Sequence, residues 1–333
     1  MTSPSDEGAG RAAVAARGPS PPVPVAMPAR VGPIFAVRDA AFLVLVGLSV
    51  AWLWPPLSTV IVVSLRYSQY EHYSHVVLIP LISAVLVYLD RGAIFARVAY
   101  APGWGGVLML AGVALSWIAR SGPVTDPEQI FVSLAMLALV LLCAGAFLLC
   151  YGMDALKAAA FPVAFLLFMV PLPPFLLHST IVSLQKASTE VTYVLFKVVG
   201  VPVYREGFFF WLPGLAIEVA EECSGIRSFL ALTITGVLAG HLLLRTGWAR
   251  GTLALAILPI AIFKNAVRIV VLSLLAIHVD KSFITGSVVH KRGGIPLFFV
   301  SLLVVGGVVW LLQRAEAGRA GRAGQVKVVR IRA

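Results

Sequence analysis

Charge is scarce in this sequence. Asp, Glu, Lys and Arg make up 12% of its 333 residues, against about 25% in soluble domains. Hydrophobic residues reach 59%, where a soluble domain carries about 45–50%, so a soluble globular protein of this length is excluded. Cysteine is scarce too: three residues cannot build a disulfide framework. Cys143 and Cys150 fall in one apolar run and read as small buried hydrophobes. No apolar h-region lies close to Met1, which argues against a cleaved signal peptide. Residues 1–36 are rich in Pro, Ala, Gly and Ser and predict a disordered cytoplasmic tail. Clusters of basic and stacking aromatic residues are lacking as well. The formal charge of +11 therefore does not point to nucleic acid.

What the chain has is separate apolar runs, most of them long enough to cross a hydrocarbon core of about 30 Å. They predict about eight spans, near 39–64 (interrupted by Pro55-Pro56), 76–90, 103–119, 129–150, 157–172, 224–244, 251–278 and 293–312. The fold class expected is an all-α polytopic membrane protein. Positive charge gives the direction. Arg38, Arg91, Arg97, Lys157, Arg245 and Arg250 fall on one side with the N-terminal tail and a basic tail at 314–333, so both termini are expected inside. The transmembrane part then spans 37–313, in the inner membrane of a bacterium.

The long stretch between the fifth and sixth runs has its own pattern. Leu177, Ile181, Leu184, Val191, Leu195 and Val198 share one stripe, with Gln185, Lys186, Thr189 and Glu190 opposite. That spacing predicts an amphipathic helix lying on the outer leaflet. Residues 203–219 then read as a short hairpin turning at Pro213-Gly214, with Phe208-Phe209-Phe210-Trp211 at headgroup depth.

The hairpin delivers the chain to Glu221-Glu222-Cys223-Ser224-Gly225-Ile226-Arg227-Ser228, at the mouth of the sixth run on the outer side. A thiol beside acidic, cationic and hydroxyl groups is poorly explained as packing. At the start of a helix, free N–H groups and the dipole favour a thiolate and can serve an oxyanion. Arg227 adds positive potential one turn on. Glu222 opposes it, or pairs with Arg227 or Arg268. Arg268 lies inside an apolar run, where a cation costs at least about 2.5–3.5 kcal/mol. Asn265 and Lys264 share its turn of helix, which implies a polar cavity. His290 opens the last run and can act as base or acid near neutral pH. His75 is the competing histidine and His278 a weaker third. Together these residues predict a membrane-embedded thiol enzyme with Cys223, Arg268 and His290 in catalytic roles. Arg227, Asn265, Glu222, Ser224 and His75 are expected in support, with no metal or cofactor.

Along residues 70–310 the order of motifs resembles the exosortase/archaeosortase family of integral-membrane sorting enzymes. Tyr73-Ser74-His75 with Leu78-Ile79-Pro80, and Phe161-Pro162 through Val170-Pro171-Leu172-Pro173, carry the early part. Glu206-Gly207, Leu212-Pro213-Gly214, the Glu222 to Ser228 segment, Asn265 with Arg268, and His290 complete it. The resemblance implies a Cys-Arg-His peptidase or transpeptidase on the periplasmic side. Its substrates would be secreted proteins ending in a short motif such as Pro-Glu-Pro, a transmembrane helix and a basic cluster. The rival readings are a non-catalytic envelope or polysaccharide-export component, and a transporter using Arg268 and Lys264 as an anion site. A transporter is expected to show inverted repeats, and the two halves of this chain share none.

Overall fold

A computed structural model describes residues 37–66, 75–122, 130–280 and 294–332. Helices dominate: α1 (Val37–Trp52), α2 (Trp54–Arg66), α3 (Leu78–Leu89), α4 (Arg91–Ile94), α5 (Pro102–Arg120), α6 (Ile130–Ala158), α7 (Ala160–Phe165), α8 (Pro174–Val199), α9 (Ile226–Leu243), α10 (Gly247–His278) and α11 (Gly294–Arg332). Among the described residues five helices are long and apolar enough to cross a membrane, or up to seven spans if each of two bent pairs counts as one. The remaining one of the eight expected runs is the shorter apolar helix α3. The run at 39–64 is two helices bent by 77° after Trp52, where Pro55 and Pro56 enter the second. The run at 76–90 forms the twelve-residue helix α3, about 18 Å long. That is short of a hydrocarbon core of about 30 Å. The run at 157–172 forms α7 and a 3-10 turn at Leu166–Met169, then bends by 85° into α8.

The membrane part is two packed groups. In the first, α6 is the hub: 72% of its apolar window is buried beneath α1, α2, α4, α5 and α7. Glycines let α5 and α6 touch, since a Cβ on Gly105 would stand 2.7 Å from the Leu149 backbone. In the second, α9, α10 and α11 share a core of Leu232, Leu253, Ile257, Val305 and Val309. Here α9 is partly covered: five of its eighteen residues are buried, nine half-buried and four exposed.

The basic residues collect at one end. The Glu316 carboxylate of α11 accepts from the backbone N–H groups of Arg245 (3.1 Å) and Thr246 (2.7 Å) ahead of α10. Arg250 donates to the Leu244 carbonyl, and Arg319 lies 4.0 Å from the Trp248 ring centre. His241 of α9 stacks on Phe161 at 3.6 Å, which ties this group to the first. Tyr151, whose hydroxyl donates to Asp39 at 2.7 Å, brings in the start of α1. The connection before Ile226 lies at the opposite end of α9, about 27 Å away by helical rise.

That opposite end carries α8 and a three-stranded antiparallel sheet, β1 (Tyr204–Glu206), β2 (Phe209–Leu212) and β3 (Leu215–Glu218). Pro213 and Gly214 connect β2 to β3, with Leu212 opposite Leu215. Phe210, Leu212 and Ile217 pack inward against Phe196 of α8 and Val270 of α10. Phe209 and Trp211 stay on the exposed face, where Trp211 meets Tyr204 with ring centres 5.5 Å apart.

The orientation of α8 corrects the amphipathic reading. Its polar residues Gln185, Ser188, Thr189 and Thr192 are buried, while Val194, Val198 and Val199 are exposed. Contacts progress in register from Ser188 with Asn265 to Phe196 with Val270. The helix therefore stands along α10 and does not lie alone on a surface. Lys186 and Glu190 are exposed, as expected.

Candidate active site

Cys223 ends a short 3-10 turn, Glu221–Cys223, and α9 begins only at Ile226. The Cys223 N–H donates to the Ala220 carbonyl at 2.9 Å and the Ser224 N–H to that of Glu221 at 3.0 Å. These two N–H groups close the turn and are not available to an oxyanion, which corrects the expectation of a cysteine inside a helical first turn. Gly225 separates the two elements with φ +83°, a left-handed conformation that other residues rarely adopt. Cys223 itself is half-buried and packs beside Ile269 and the Val270 cluster.

Asn265 organises the turn from α10. Its amide nitrogen donates to the Cys223 carbonyl at 2.8 Å and to the Ser188 hydroxyl of α8 at 3.1 Å. Because a carbonyl can only accept, the amide must present its nitrogen on that side. Asn265 is 1% exposed, and its oxygen lies 3.0 Å from where a Cβ on Gly225 would stand. Lys264, also buried, donates to the Ser228 hydroxyl at 2.7 Å, which in turn donates to the Gly225 carbonyl at 3.1 Å. On the far side of the turn, Gln185 donates to the Val219 carbonyl at 2.5 Å. Amides, hydroxyls and an ammonium buried in an apolar protein disfavour folding unless they are bonded. Here they converge on residues 219–228.

The candidates predicted from sequence divide as follows. Arg268 is half-buried one turn beyond Lys264, on the same stretch of α10 that packs on the Cys223 turn. Ser224 is buried at 1% exposure. Arg227 is exposed in the first turn of α9. Glu222 belongs to the 3-10 turn itself. His75 precedes α3; its neighbour Val76 and Ile79 of α3 pack into the cluster that holds Met169 and Val170, just before the chain enters α8. His290 lies outside the described residues. His278 is exposed at the end of α10 and bonds the Leu274 carbonyl at 2.9 Å. With Val199, Gly200, Val201 and Pro213 it lines a cavity of about 510 Å³. That cavity is about 20 Å along the helix from Asn265, so it is separate from the thiol.

Sequence reasoning missed Gln185, Ser188 and Ser228 as partners. It also missed His178, whose Nδ1 lies 4.0 Å from a Glu221 carboxylate oxygen, both side chains being exposed. A signal for the first two existed: polar residues at 185, 188, 189 and 192 follow helical spacing. No grouping of His, Cys, Asp and Glu suited to a metal ion occurs among the described residues.

The family model Transmembrane exosortase (Exosortase_EpsH) matches residues 67–307. The chain belongs to this family. The match covers most of the chain and encloses the Cys223 turn, α10 and His290. Membership makes this exosortase a multi-pass, sorting-related membrane enzyme. No curated protein and no solved structure matches the chain.

Proposed function

We propose that this exosortase is a cysteine peptidase or transpeptidase that cleaves C-terminal sorting signals of secreted proteins at the periplasmic face of the inner membrane. The observation that carries the reading is Asn265 holding the Cys223 carbonyl at 2.8 Å, within one helical turn of Arg268. A half-buried thiol turn is thereby fixed against a buried cationic stretch. In the reaction, the Cys223 thiolate attacks the carbonyl carbon of the scissile peptide bond, and its electron pair forms the C–S bond. The carbonyl oxygen takes up negative charge, which the Arg268 guanidinium stabilises. Collapse of this intermediate breaks the C–N bond, and His290 protonates the departing amine. Water or an envelope nucleophile then takes the acyl group from sulfur and regenerates the thiol.

Several features support the location. The basic residues gathered around Arg245, Arg250, Arg314 and Arg319 fit a cytoplasmic end by the positive-inside tendency. The Cys223 turn is at the other end of α9, the depth at which a motif flanking a transmembrane helix leaves the bilayer.

The test uses a tagged substrate with a motif, helix and basic tail, co-expressed with enzyme variants at matched membrane level. Cys223→Ala and Cys223→Ser are expected to insert normally and leave the substrate uncleaved, while Cys143→Ala with Cys150→Ala retains processing. Normal processing by Cys223→Ala would sink the enzyme reading.

A further inference from the structure

The buried polar stripe of α8 is unexplained by helix packing alone. Gln185 is 5% exposed and Ser188 0%, as are Thr189 and Thr192, yet valines on the same helix face outward. Burying an amide and hydroxyls disfavours folding unless they are bonded. The four are bonded differently. Thr189 turns back onto the Gln185 carbonyl of its own helix at 2.7 Å. The Thr192 hydroxyl has no partner among the described residues. Gln185 bonds Val219 of the segment that carries Cys223, and Ser188 bonds Asn265 of α10, which itself holds the Cys223 carbonyl.

We infer that α8 is the positioning element of the site, with Gln185 and Ser188 fixing the Cys223 turn, and the inference rests on Cys223 being the nucleophile. Gln185 anchors the turn's entry by donating to the Val219 carbonyl at 2.5 Å. Ser188 accepts one amide hydrogen of Asn265 at 3.1 Å, which aims the other at the Cys223 carbonyl at 2.8 Å. A 3-10 turn of three residues has poor hydrogen-bond geometry of its own. One outside bond therefore holds the entry of the turn at Val219 and the other holds the peptide plane after Cys223, and together they fix the backbone from which the thiol projects. Neither residue touches the reacting atoms. They act through backbone and through Asn265.

A positioning role has a kinetic signature. Displacing a reactive group by about 1 Å can cost about a hundredfold in rate, with the substrate site itself unchanged. Ser188→Ala and Gln185→Leu should lower kcat by about 10- to 100-fold and leave KM within roughly twofold. They should also change the rate and pH profile of Cys223 alkylation by a maleimide, read in a Cys143→Ala/Cys150→Ala background. Ser188→Thr keeps the hydroxyl and should recover both. Thr192→Val, on the same buried face but removing an unpartnered hydroxyl, should behave as the parent enzyme.

The experiment measures alkylation and processing side by side, in membranes with matched insertion. Unchanged alkylation in Ser188→Ala and Gln185→Leu overturns the inference. So does an equal loss in Thr192→Val, which would mark general disturbance of packing. A rise in KM with unaltered thiol reactivity also overturns it. Alkylation is read without substrate, so it stands apart from the parent reading, which fails separately if Cys223→Ala still processes.

Discussion

Gly225 and Asn265 meet where a side chain would otherwise stand: a Cβ built on Gly225 would lie 2.9 Å from Asn265 Cγ. The contact joins the end of the Cys223 turn to the middle of α10. Gly225→Ala should therefore cost the left-handed strain of about 1–2 kcal/mol and also push Asn265 off the Cys223 carbonyl. Gly200→Ala makes the comparison, since Gly200 has φ +80° but open space around it. Thermal unfolding in detergent should show a loss in both variants. Processing should fall only in Gly225→Ala.

Asn265→Asp preserves shape and removes both N–H donors. The Cys223 carbonyl and the Ser188 hydroxyl then face a carboxylate. An unsatisfied buried acceptor costs about 1–3 kcal/mol, more when a charge is involved. The expected result is at least about a tenfold drop in the processed fraction, with Asn265→Ala less severe. Pulse-chase of the tagged substrate measures it, and equal activity in all three proteins contradicts the role.

Among the histidines, His290→Ala should abolish processing, His75→Ala should reduce it, and His278→Ala should leave it near normal. His278 already bonds its own helix at Leu274 and sits beside the separate cavity. Inactivation by His75→Ala with activity retained in His290→Ala would transfer the acid/base role to His75.

Arg268→Lys keeps the charge and loses the planar fork of donors. A guanidinium used on an oxyanion should not be replaced by an ammonium, so processing should be strongly impaired at normal membrane level. Near-normal processing would reduce Arg268 to a structural cation.

The apolar runs that became α5, α6, α9, α10 and the first part of α11 were legible because length and hydropathy alone specify them. The broken elements were not. Pro55-Pro56 marks an interruption in the run at 39–64 but not the size of its bend, and the run at 157–172 gives no sign of turning by 85° into α8. Periodicity placed Gln185 and Thr189 on one stripe correctly, and left open what the stripe faces. Polarity alone points to solvent, whereas Gln185 and Ser188 find Val219 and Asn265, distant in sequence. The Glu222 to Ser228 segment announced itself through residue types packed together at a boundary. Its turn geometry depended on Gly225 and on α10, which no local pattern encodes.

The Cys223 turn leads into α9, a helix long and apolar enough to cross a membrane, and that has a consequence for how a substrate would arrive. Only five of its eighteen residues are fully buried, so the helix is not sealed inside the protein. A sorting signal still held in the bilayer by its own helix would meet the enzyme by lateral diffusion, in two dimensions. The quantity governing encounter is then molecules per unit area of membrane, so turnover should track substrate density in the lipid and not its amount per volume of cells.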